Sequence, residues 1–124
     1  MTAYEHLFYG FGHVAYAIAL SDGKVQNEEK QKLQEIVERQ LEDHNVEFDL
    51  SSIIFQVVDD DAVFNCDDSM RIGLKNMDLG DQYLTDELKK TFIVISNEIA
   101  VSFPPFSPEE SRYVNQLIDY LEGK

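Results

Sequence analysis

The sequence predicts an all-α fold, a compact single-domain bundle of about six helices over residues 1–124, built from two related helical hairpins. Three observations predict it. Apolar residues recur at helical spacing through most of the chain. Ser, Thr, Asp, Gly and Pro punctuate those stripes where helices start and stop. Leu7 to Gln40 aligns without gaps on Leu88 to Leu121, 81 residues later, with identities at Leu7/Leu88, Phe11/Phe92, Ile18/Ile99, Ala19/Ala100, Ser21/Ser102, Glu28/Glu109 and Glu29/Glu110. Any two amphipathic hairpins share a 3.6-residue pattern, but an acidic pair held in the same register favours a true duplication.

From Tyr4 to Leu20, Leu7, Phe11, Val14 and Ile18 form one stripe, widened by Phe8, Ala15 and Ala19, as in a helix buried on most sides. Gly23, beside Asp22, suits the left-handed position that ends a helix. A second helix then begins near Gln26 or Asn27, with Glu28 and Glu29 in its first turn and Leu33, Ile36, Val37 and Leu41 on its buried face. In the middle third, Leu50, Ile53, Ile54 and Val57 keep helical spacing although their residue types favour strands; a lone strand would lack a partner, so this segment too reads as helix. Asp68 to Leu79 gives a further helix, with Met70, Leu74 and Met77 on one face and Gly73 and Gly80 weakening it. Thr85 caps a helix opening Asp86-Glu87 and carrying Leu88, Phe92, Ile95 and Ile99. Pro104-Pro105 break it. Ser107-Pro108-Glu109-Glu110 combines a cap, a proline at the first helical position and a capping-box glutamate; Tyr113, Leu117, Ile118 and Leu121 follow on the buried face.

The formal charge is −14, from 24 acids against 10 bases, which repels phosphate backbones and anionic lipid surfaces. No nucleic acid and no membrane are expected as partners. No Lys or Arg occurs between Arg39 and Arg71, where Glu42, Asp43, Glu47, Asp49, Asp59, Asp60, Asp61, Asp67 and Asp68 gather. Such a run most often means a solvated face, and otherwise invites a cation or a protein partner with a basic surface. Cys66 is alone, so no internal disulfide forms, and with no basic leader at the N-terminus a reducing, cytoplasmic setting is expected. The longest nearly uncharged run, Leu7 to Leu20, has 14 residues, short of the roughly 20 a bilayer span needs.

The chemistry-bearing motifs are sparse. Asp22-Gly23-Lys24-Val25 with Glu29 matches the fifth, sixth, eighth and twelfth positions of an EF-hand loop, yet Ile18 and Leu20 fall at its first and third ligand positions and supply no oxygen. Two readings of Asp22, Glu28 and Glu29 stay open: a weak divalent-cation site completed from elsewhere in the fold, or helix-terminus duty for all three. Asp59 to Asp68 fails the same loop template, with Phe64 where glycine is required. His6 and His13, seven apart, are too distant to share a metal and read as rim or core residues. Asp67, Asp68 and Asp61 raise the thiol pKa of Cys66 and blunt it as a nucleophile. Tyr9, Phe103 and Phe106 read as core before they read as pocket. With no phosphate loop, nucleophile elbow or zinc spacing, the chain is expected to be no enzyme.

A buried helix ending Ala17-Ile18-Ala19-Leu20-Ser21-Asp22-Gly23-Lys24-Val25, followed by Glu28-Glu29 and Leu33, Ile36, Val37, resembles the TerB family of tellurite-resistance proteins. Leu84-Thr85-Asp86-Glu87-Leu88-Lys89-Lys90 through Ile99-Ala100 is similar to that family's second half. The likeness spans most of the chain and is weakest in the middle. It implies a compact all-α fold, a link to tellurite or oxidative stress, and a divalent-metal role for Asp22, Glu28 and Glu29. A similar domain in membrane-anchored J-domain co-chaperones mediates self-association, which implies a homodimer as a further partner state. The second half departs from the pattern: its loop acid is absent, with Phe103 aligned to Asp22 and Pro104 and Pro105 in its loop.

Overall fold

The computed structural model describes residues 2–20, 31–33, 35–37, 39, 66–102 and 108–124, and every regular element among them is helical. In chain order they are α1 (Ala3–Leu20), helical residues 31–33, 35–37 and 39, α2 (Cys66–Leu79), a 3-10 turn (Asp81–Tyr83), α3 (Asp86–Ser102) and α4 (Pro108–Glu122). The all-α class agrees with the sequence, while the helix expected around Leu50 to Val57 and the loop at Asp22-Gly23 lie outside the described residues. None of the described helices is long and apolar enough to cross a membrane.

A capping box starts α1: the Thr2 backbone N–H donates to Glu5 Oε1 at 2.9 Å, and the Glu5 N–H donates to Thr2 Oγ1 at 3.1 Å. Reciprocal bonds of this kind satisfy two donors that the first helical turn cannot pair. The bond from the Thr2 N–H, helped by the Thr2 hydroxyl, holds the Glu5 carboxyl below its usual range. Every residue from Gly10 to Ala19 is buried. A helix apolar all round must be surrounded, and α1 indeed lies against α2, α3 and α4 together.

Glycines bring α1 and α2 together at a close crossing. A Cβ built on Gly73 would sit 2.7 Å from the Gly10 carbonyl oxygen and 2.8 Å from Val14 Cγ2, and one on Gly10 would sit 2.6 Å from the Met77 nitrogen. Backbone cannot step aside, so each position requires the missing side chain. Gly80 meets α1 in the same way, its absent Cβ directed at the Ala3 carbonyl and the Leu7 backbone. Gly73, read from sequence as a weak point of its helix, is a packing residue, and α2 begins at Cys66, two residues before the expected Asp68.

Thr85 caps α3 as expected, its Oγ1 accepting the Leu88 N–H at 3.1 Å. Leu88, Phe92, Ile95 and Ile99 are all buried, and Ser96 is buried among them by donating to the Phe92 carbonyl at 2.9 Å. The aligned residues Phe11 and Phe92 stack on one another, with centroids 4.1 Å apart and planes 15° from parallel. Phe8 meets Phe92 edge-on at 5.9 Å, and Tyr4 joins Phe8 to Tyr83 by two further edge contacts. The aligned pairs Leu7/Leu88, Ile18/Ile99 and Ala19/Ala100 are likewise buried in both copies. In α4, Pro108 takes the first helical position, and Tyr113, Val114, Leu117 and Leu121 face the core, with Ile118 half-buried.

Candidate functional site

Asp22, Glu28 and Glu29, the residues expected to hold a cation, lie outside the described residues, as do Gly23, Asp59, Asp60 and Asp61. Among the described residues, no group of three His, Cys, Asp or Glu side chains is placed to hold a metal ion. His6 is a rim residue whose Nδ1 pairs with Asn76 Oδ1 at 2.8 Å, while the Asn76 amide donates to the Ile72 carbonyl at 2.9 Å. His13 is fully buried in the core with its ring edge-on to Tyr9 at 4.8 Å. His6 thus joins α1 to α2 at the rim and His13 lies in the core, in keeping with the core and rim roles their spacing suggests. Cys66 opens α2 half-buried, beside Asp67 and Asp68.

The described polar geometry centres on α2 and α4, which run side by side in the same direction. At their N-terminal ends, Asp67 Oδ1 accepts the Tyr113 hydroxyl at 2.6 Å and an Arg112 N–H at 2.8 Å, and the Arg112 guanidinium lies 5.0 Å over the Tyr113 ring. At their C-terminal ends, Lys124 pairs with Asp78 at 2.5 Å and with Asp81 at 3.2 Å, and the Tyr120 hydroxyl donates to Asp78 at 3.3 Å. Helical periodicity explains the match, because Tyr113 to Tyr120 and Asp67 to Asp78 each span whole turns along one face.

These contacts shift the groups that make them. Burial, and then the bond to Asp67, push the Tyr113 hydroxyl up to about 12. Burial and the Asp78 charge do the same for Tyr120, also to about 12. The Lys124 bond holds Asp78 below the usual carboxylate range, and the two aspartates raise Lys124 well above an ordinary lysine. Protonated tyrosines and charged Lys124 are therefore the forms that the helix pair favours.

Between the two ends the helices part, leaving an open groove of about 540 Å³. One stripe of α2, Asp67, Met70, Arg71 and Leu74, forms one wall; Arg112, Gln116 and Asp119 of α4 form the other. Sequence reading missed this groove. Its sequence-level signal is that the α2 stripe keeps the i, i+3, i+4, i+7 spacing of a helix face while mixing charged with apolar residues, and the α4 stripe keeps i, i+4, i+7 with polar residues alone.

Other cations also close on the chain's own acceptors. Arg39 pairs with Glu98 of α3, Lys32 donates to the Ser102 carbonyl at 2.7 Å, Arg71 pairs with Asp68 at 3.1 Å and Lys89 with Asp86 at 3.7 Å. No family model matches the chain, and neither does any curated protein or solved structure.

Proposed function

We propose that the chain is a non-catalytic, TerB-like interaction module of the cytoplasm that offers an acidic surface to a basic protein partner, with a role in tellurite or oxidative stress. The use of its cations is the observation that supports this reading. Arg39, Arg71, Lys89, Arg112 and Lys124 are each drawn into an ion pair with an acid of the same chain. With 24 acids to 10 bases, the net charge left for a partner is negative. Such a surface steers basic partners in and turns nucleic acid and anionic membrane away. Burial of aligned positions in both copies, and the Phe11–Phe92 stack, support the two-hairpin TerB-like architecture behind the proposal.

Affinity capture from native cell extract, at low and at high salt, tests it. The expected result is a basic partner retained at low ionic strength and released as the Debye length shrinks toward about 3 Å near 1 M salt. A chain that stays a partnerless monomer at low salt overturns the reading. The Asp22-Gly23 loop with Glu28 and Glu29 motivates a second reading, a weak divalent-cation site. Calorimetric titration with Ca²⁺, Mg²⁺, Mn²⁺ and Zn²⁺ decides it. No heat at millimolar metal, or binding unchanged by Asp22→Asn with Glu29→Gln, removes the metal from the account.

A further inference from the structure

The α2–α4 groove is an exception to the charge of the molecule. The chain has three arginines, Arg39, Arg71 and Arg112, and two of them line this one groove from opposite walls. A volume of about 540 Å³ is of the size that holds small ligands. Met70 and Leu74 give it an apolar floor; Met70 is buried and Leu74 half-buried, so a ligand has only to cover what remains exposed.

The acids of the groove are not equivalent. Asp67 accepts from both Tyr113 and Arg112, so its charge is engaged in holding the Arg112 guanidinium over the Tyr113 ring. That contact fixes a side chain which otherwise loses rotamer freedom on binding. Asp119 stands seven residues beyond Arg112 on α4, about 10 Å further along the axis at 1.5 Å per residue. Both guanidiniums therefore lie toward the N-terminal end of the groove, where Asp67 offsets one of them, while the other end holds the Asp119 carboxylate without an arginine. Arg71 reaches Asp68 through one terminal nitrogen, and a guanidinium carries five N–H donors in a planar fork that matches a carboxylate.

We propose that this groove binds a small carboxylate bearing an apolar tail, the carboxylate at the Arg71 and Arg112 end and the tail along Met70 and Leu74. The inference goes beyond the acidic-partner reading and stands apart from it, since the ligand has no basic group. The probe is hexanoate, with acetate and hexylammonium as matched controls lacking the tail or carrying the opposite charge. The chain has three methionines, so the methyl signals of Met70 and of the core residue Met77 are separable by NMR in ¹³C-methyl-labelled protein. Hexanoate is expected to shift Met70 saturably and leave Met77 still, binding about tenfold more tightly than acetate, as partial burial of its methylenes supplies, and about tenfold more tightly than hexylammonium, the ratio that one good charge-assisted contact supplies. Arg71→Gln, which removes an exposed surface pair and leaves the fold standing, is expected to weaken hexanoate about tenfold. Hexylammonium binding as well as hexanoate, or an Arg71→Gln chain with undiminished hexanoate affinity, overturns the proposal.

Discussion

On one side of α2, Gly73 brings the backbone against Gly10 of α1; on the other, α2 stands off from α4, and hydrogen bonds and ion pairs join the two at their ends across an open groove. The two faces of one helix thus solve different problems. Close backbone approach gains dispersion over many atoms and tolerates no added carbon. The α4 face relies on exposed or half-exposed charges, each contributing little to stability but fixing direction and spacing. Rigidity lies on the first face, and room for a ligand on the second.

Gly73→Ala is the largest test of that contrast. Helix propensity alone predicts that alanine stabilises by up to about 1 kcal/mol. The Gly10 carbonyl and His13 Cβ in its way predict the opposite sign, a loss of roughly 1–3 kcal/mol and a visibly lower Tm in thermal unfolding. A stabilised Gly73→Ala chain would dissolve the distinction between the two faces.

Tyr113→Phe comes next. It removes the hydroxyl that donates to Asp67 at 2.6 Å, and about 1–2 kcal/mol should be lost near neutral pH. Tyr113 also carries a pH signature. Its folded pKa, about 12 against 10 for the free side chain, is raised first by burial and then by Asp67. An unfolded chain releases that proton near pH 10 while the folded chain keeps it, so its contribution is complete below pH 10 and lost as pH rises toward 12. Chemical denaturation across that window should show a steep loss in the parent chain and a shallower one in Tyr113→Phe, with Tyr120 and the raised Lys124 contributing to what remains. Equal slopes would mean that Tyr113 is not held as described.

Lys124→Gln should do least. Lys124 lies on the surface between Asp78 and Asp81, so its loss should lower Tm slightly at low salt and not at all near 1 M, where the Debye length is about 3 Å. A large effect that salt leaves intact would place α4 anchoring at its C-terminal end rather than in its buried stripe.

The stripes were legible because burial repeats every 3.6 residues and each helix carries its own record of it. Leu7, Phe11, Val14 and Ile18, then Leu88, Phe92, Ile95 and Ile99, are buried where their spacing put them. The Thr85 cap was legible because its bond to the Leu88 N–H is local. Gly73 was not, because a crossing is a property of two helices and its partner Gly10 lies in another part of the chain. The groove was hidden for the same reason: Asp67 reads as one more acid of a solvated run until Tyr113 and Arg112 are brought to it. The acids that sequence singled out, Asp22, Glu28 and Glu29, belong to the part of the chain outside the described residues.

The place of α1 has a consequence for how the chain is made. Its buried perimeter faces partners that are synthesised much later, Phe92 among them. At about 5–20 residues per second, the roughly 70 residues between Leu20 and Phe92 take on the order of 4–15 s to emerge in sequence. For that time α1, the most apolar of the described helices, lacks α3. Nascent α1 is therefore the segment a chaperone should hold first, and mutations that weaken its stack with Phe92 should lower yield in cells more than they lower stability in the tube.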